Sequence, residues 1–139
     1  MMAFEKFETG TIFRYSYLWS REAEHGETEG RKERPVAIAI RLRRRNGRDG
    51  FILFPITSKR PETDRFASEI PQNEKRRAGL DVELRLWIIL DDVNTDQIGQ
   101  SFYLRDQEPL GRLSKSYFLP LVQEFIARKE KVRSTDRTR

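Results

Sequence analysis

The run VAIAIRLRRRNGRDGFILFPIT, residues 36–57, constrains the fold more than any other part of the chain. Val36, Ile38, Ile40 and Leu42 alternate with Ala37, Ala39, Arg41 and Arg43, the period-two pattern of a strand. Phe51–Thr57 is a second apolar run. Between them, Asn46-Gly47 and Asp49-Gly50 tolerate positive φ, the chemistry of a hairpin turn. The two runs are therefore expected to pair antiparallel. Pro55 has no N–H to give to a ladder, which places the second strand at a sheet edge or bulges it near its end.

Alternation also marks TIFRYSYLWS, where Phe13, Tyr15, Tyr17 and Trp19 share one face. Residues 20–34 are charged, carry two glycines and show no period, so they read as a loop. Residues 58–80 form a polar connection with Pro61, Pro71 and Gly79, interrupted by a short helical turn at Gln72–Arg77. Arg85–Leu90 is a short apolar strand, and Ser101–Leu104 a further one. The period then changes. Phe118, Leu121, Val122, Phe125 and Ile126 form the apolar stripe of a helix, capped by Ser114 or Ser116. Pro120 fits that helix only in its first turn.

Five short strands and one closing helix in 139 residues make a single domain over 1–130, followed by a disordered polar tail at 131–139. The fold class is mainly β, a partly closed antiparallel barrel whose closure removes exposed edges. The pattern alone does not separate an SH3-like barrel from an OB-like one.

The chain has no cysteine, which removes disulfides, thiolate zinc sites and a cysteine nucleophile. The His, Asp and Glu spacing suggests no metal site, and no cofactor is expected. The sequence has neither a bilayer-spanning apolar run nor a signal-peptide core, so a cytoplasmic protein without membrane partners is expected. The formal charge of +5 favours polyanionic partners. Single-sign clusters, Arg43–Arg44–Arg45 with Arg48 and Lys75–Arg76–Arg77, point the same way.

Five motifs, in order, resemble the PemK/MazF family of toxin ribonucleases from bacterial toxin–antitoxin systems. TGTIFRYSYLW resembles the family's opening strand, and ERPVAIAI its Arg-Pro-Val second strand. FPITS resembles its Pro-(Val/Ile)-Thr-Ser strand end, and GLD followed by WIILDDVNTDQI its strand ending in an acid. PLGRLS before an apolar helix resembles its ending. The likeness covers roughly residues 8–127. The loop before Arg34 is longer and more charged than usual, and Ile89 stands where some members carry an arginine.

The resemblance implies an SH3-like barrel of the PemK/MazF/CcdB type, working as a homodimer. It implies metal-independent cleavage of single-stranded RNA by 2′-OH attack, and neutralisation by a cognate antitoxin. The catalytic residues expected from it are Arg34, Thr57, Asp91 and His25. Arg34 would stabilise charge on phosphorus oxygens, since a guanidinium stays charged and grips phosphate bidentately. Thr57 would donate a hydrogen bond, Asp91 would act as base, and His25, the only histidine, would shuttle protons. Ser58, Lys59, Arg60, Arg41, Arg43, Asp92 and Thr95 complete the expected RNA-binding set, with Lys75 as a further phosphate contact.

Two other readings use the same barrel. One is a nucleic-acid- or protein-binding module without catalysis. The other is a growth inhibitor acting on a protein target such as a topoisomerase. The protein inhibitor would depend on an exposed aromatic or helix patch and be indifferent to Thr57.

Overall fold

The hairpin at the middle of the sequence is also the middle of the sheet. The computed structural model describes residues 6–27, 32–98 and 108–138. In it β2 (Arg34–Leu42) pairs antiparallel with β3 (Gly50–Thr57). Gly47 takes φ +77°, and the Arg48 N–H donates to Asn46 Oδ1 at 2.9 Å, so the Asn-Gly pair makes the turn. Asp49 braces it from inside, accepting from the Arg44 N–H and from Arg41 Nε, each at 2.9 Å. The register shifts between Ile38 and Ile40, a bulge that adds local twist.

Beyond β2 lie β1 (Thr11–Tyr15) and the two-residue β7 (Gly111–Arg112). The other side of β3 is shared. Gly50–Leu53 pair with β6 (Asp92–Gln97), and Ile56–Thr57 with β5 (Trp87–Ile89), which pairs onward with β4 (Ala67–Glu69). The fold is mainly β, a curled antiparallel half-barrel with a few helices. β3 is thus not the edge that Pro55 suggested. Pro55 falls in the interval between the β6-paired and β5-paired segments, where its missing N–H interrupts neither ladder.

Both faces of this sheet are buried. On one, α3 (Lys115–Ala127) sets Phe118, Val122 and Phe125 over Ile12, Ala37, Ala39, Phe54 and Ile56. Phe54 meets Phe118 and Phe125 edge-on, with ring centroids 6.0 and 5.1 Å away. Each such aromatic pair adds about 0.5–1.5 kcal/mol beyond its buried area. The other face is aromatic: Phe7, Phe13, Tyr15, Tyr17 and Trp19 pack with Val36, Ile38, Phe51, Leu53, Trp87 and Ile89. The opening stripe is therefore interior within one chain, and it offers no spare apolar surface for a second copy.

Four local expectations are corrected. Residues 20–24 are not loop but a short helix, α1 (Ser20–Glu24), closed at its start by the Trp19 N–H donating to Glu22 Oε1 at 3.1 Å. Ser114 caps α3, yet Pro120 lies in its second turn, where the carbonyl it leaves unpaired, that of Ser116, is on the exposed side. α2 (Gln72–Arg77) forms as expected, but it buries Lys75, whose Nζ donates to the Leu84 carbonyl. Lastly, residues 131–138 are not disordered. After a 3-10 turn at Lys129–Lys131, β8 (Arg133–Asp136) adds to β6 in parallel.

The expected strand at Ser101–Leu104 lies outside the described residues. Among those described, no helix is long and apolar enough to cross a membrane.

Candidate functional site

β2 and β3 bring their polar ends to one place. Two residues beyond the Val36–Pro55 pair stand Arg34 on β2 and Thr57 on β3. Here the aromatic face of the sheet runs out into a cleft of about 560 Å³. Its walls carry Arg34, Thr57, Ser58, Lys59 and Arg60, all five expected from the sequence, together with Trp19, Arg21, Lys32, Glu62 and Arg65. Trp19 and Arg21 come from the start of α1, Lys32 from the approach to β2, and Glu62 and Arg65 from the connection after β3.

The charge is one-sided. Six cations line the cleft against one carboxylate, Glu62. Arg65 is neutralised by Asp91. Arg21, Lys32, Arg34, Lys59 and Arg60 make no ion pair among the described residues. By contrast Arg41, Arg43, Arg85, Arg128 and Arg133, elsewhere on the chain, each have a carboxylate partner. Concave sites lined by one sign of charge focus field and concentrate counter-ions of the other sign.

Arg34 is the most constrained of the cations. Its guanidinium lies 5.3 Å from the centre of the Trp19 ring, and its buried Nε has no acceptor. Burial lowers its pKa below the ordinary arginine value, against Glu22, which raises it, and with Arg21, which lowers it further. A guanidinium still stays protonated at neutral pH. This is a cation partly stripped of water and without an ion pair among the described residues, a state that an incoming phosphate oxygen would relieve.

Thr57 Oγ1 accepts the Lys59 N–H at 3.1 Å. That bond fixes the turn and leaves the hydroxyl proton free to donate. The strand-end role and the ligand role are compatible.

The other expected residues do not gather here. Asp91 accepts from Arg65 Nε at 2.9 Å, from Arg65 Nη2 at 2.7 Å and from the Phe66 N–H at 3.1 Å. Burial raises its pKa, but these bonds outweigh it and hold the carboxyl below its ordinary value, which makes a poor base. His25 is absent from the lining; its Nδ1 donates to the Arg21 carbonyl at 2.6 Å from the exposed end of α1. Asp92 is buried and accepts from the Tyr17 hydroxyl, from Ser20 Oγ at 2.7 Å and from the Ser20 N–H at 3.3 Å. Arg41 is a buried brace, bonded to Asp49 and donating to the Phe7 carbonyl at 2.9 Å. Arg43 bonds to Glu8, and Thr95 lines a separate pocket with Arg44 and Asp136.

Trp19, Arg21, Lys32, Glu62 and Arg65 were missed. Trp19 ends an alternating aromatic stripe, which reads as core. The others sit in charged stretches without a period, where nothing distinguishes a lining residue from a solvated one.

No protein-family model and no curated protein sequence matches this chain.

Proposed function

We propose that the chain is a PemK/MazF-like toxin, an endoribonuclease that cleaves single-stranded RNA in the Arg34–Thr57 cleft. On this reading the half-barrel is the SH3-like barrel of that family, acting as a homodimer in the cytoplasm and held in check by an antitoxin segment that fills the same cleft. One observation carries the proposal. The motif residues of two distant segments, Arg34 before Pro35 and Thr57–Arg60 after Ile56, line one basic cleft.

The chemistry divides among groups that are present. Arg34 meets the non-bridging phosphate oxygens, where charge develops. Thr57 and Ser58 donate to the same phosphate. Lys59 and Arg60 hold the flanking backbone. Glu62, the one carboxylate of the lining, replaces Asp91 as the base that takes the ribose 2′-OH proton. Attack of the 2′-oxygen on phosphorus breaks the bond to the 5′-oxygen, which takes a proton from water to leave as a 5′-hydroxyl, and a cyclic phosphate remains.

The test is cleavage of mixed-sequence single-stranded RNA in EDTA, with the fragment ends sequenced. Arg34→Ala, Thr57→Ala and Glu62→Gln should each slow cleavage by about 10²-fold or more without unfolding the protein, the usual scale for charge-stabilising and acid–base groups. Cleavage that requires Mg²⁺, or survives these substitutions, would remove the proposed site.

The capture of Asp91 by Arg65 favours a second reading, a barrel that binds RNA or a protein target without cutting. It predicts tight RNA binding, or growth inhibition, with no fragments at any time.

A further inference from the structure

Two guanidiniums share the Trp19 indole. Arg21 lies 5.1 Å from the ring centroid and Arg34 lies 5.3 Å from it. A cation over an indole face is attracted by the ring quadrupole. The indole is itself fixed. Its backbone N–H donates to Glu22, its ring meets Tyr17 edge-on with centroids 5.1 Å apart, and the Tyr17 hydroxyl is anchored on Asp92.

Arg21 differs from Arg34 in being exposed, on α1 at the junction of the cleft with a neighbouring pocket lined by Asp91, Lys131 and Arg133. Its side chain makes no hydrogen bond and no ion pair among the described residues. An exposed arginine that only bridged charge would swing to a carboxylate. This one rests on an aromatic ring, is exposed and lines the cleft.

We infer that Arg21 is a nucleobase-stacking residue: one base of a single strand lies on the outer face of the Arg21 guanidinium while Trp19 backs the inner face. The inference rests on the nucleic-acid reading of the cleft. Guanidinium planes stack unpaired bases as aromatic rings do, and the interaction is available only where the base is free of a duplex partner. The cleft then recognises a single strand by one base as well as by its phosphates, and a double helix, whose bases are covered, loses that part of the affinity. Arg34, half-buried on the same indole, remains the phosphate contact.

The probes are a fluorescent, 2′-O-methylated RNA oligonucleotide, which binds without being cut, and an abasic strand of equal length and charge. Both are titrated in EDTA and followed by anisotropy. Wild type should bind the base-bearing strand about 10-fold more tightly, the scale of one base stacked on a planar group. Arg21→Lys keeps the charge and loses the plane, and should bind both strands alike; Arg21→Ala should do the same at lower affinity. Because Arg21 is exposed, neither change threatens the fold. Equal affinity of wild type for the two strands, or an Arg21→Lys protein that keeps the preference, overturns the inference while leaving phosphate binding in place. Failure to bind either strand overturns the nucleic-acid reading itself.

Discussion

Arg65 holds Asp91 in a forked grip, with Nε 2.9 and 3.2 Å from the two carboxylate oxygens and Nη2 2.7 Å from Oδ1. This pair decides which acid can serve the cleft. Asp91 is committed to the turn between β5 and β6, where it also receives the Phe66 N–H. Asp91→Asn should therefore leave RNA cleavage within about threefold of wild type while costing about 1–3 kcal/mol, the loss of charge-assisted hydrogen bonds. Initial rates and urea midpoints measure the two effects. A drop in rate of about 10²-fold in a protein that still folds would return Asp91 to the role of base.

The cations divide in the same way. If phosphates lie along the cleft, Lys59→Ala and Arg60→Ala should each flatten the slope of log affinity against log salt by about 0.7, one released counter-ion per single-strand phosphate contact. Arg43→Ala should leave the slope unchanged, because Arg43 bonds to Glu8 outside the lining. Lys75→Ala should also leave it unchanged, but lower stability, since its buried ammonium serves the Leu84 carbonyl. A slope that drops for Arg43→Ala and holds for Lys59→Ala would move the interface elsewhere.

The fold was legible where burial is apolar. The central hairpin and α3 follow from alternation, turn residues and a helical stripe. β6 was not legible, because its buried side is polar. Asp92, Asn94 and Asp96 look like turn formers, yet each serves the end of β1 or the segment after it. Tyr17 and Ser20 bond to Asp92, the Leu18 N–H donates to Asn94 Oδ1 at 2.9 Å, and the Tyr15 hydroxyl donates to Asp96. The tail was hidden for a related reason. RSTD carries no apolar signal, and only its partner strand makes it β. Within the site, Arg34 and Thr57–Arg60 were legible through short motifs. That Arg41, Asp91 and Asp92 lie outside the cleft lining was not legible, because an ion pair or a buried bond to a distant residue leaves no mark in the sequence.

β8 leads to Arg137, whose backbone N–H donates to the Thr95 carbonyl at 2.7 Å. Its buried guanidinium donates to the Ser16 carbonyl and, at 3.2 Å, to Asn94 Oδ1, and lies 5.6 Å from the Tyr15 ring centroid. The tail thus clamps the strand exit that carries Trp19 to the cleft. Arg137→Ala should cost about 1–3 kcal/mol, since it removes the charge-assisted bond to the Ser16 carbonyl. Deletion of residues 132–139 should cost more and broaden the amide spectrum of Ser16–Trp19. A truncated chain with the melting temperature of wild type would show that β8 contributes nothing.

Asp49 gives the fold a dependence on acid. Its carboxyl is held below the ordinary aspartate value chiefly by the Arg44 N–H, then by Arg41, with burial opposing. A depressed folded pKa contributes stability that is present above the unfolded value, about 3.9, and is lost as pH falls through the folded one. Asp92 runs the other way. Burial raises its folded pKa despite the bonds from Tyr17 and Ser20, so its ionisation costs stability as pH climbs through the unfolded value. Asp49→Asn also breaks the ion pair with Arg41, a loss of about 1–3 kcal/mol at neutral pH. Urea midpoints measured from pH 7 down to about 2 should show the gap between wild type and Asp49→Asn narrowing below the unfolded aspartate pKa, because there wild type loses the same ion pair by protonation. A gap of constant size across that range would mean that the Asp49 charge is not what stabilises the hairpin turn.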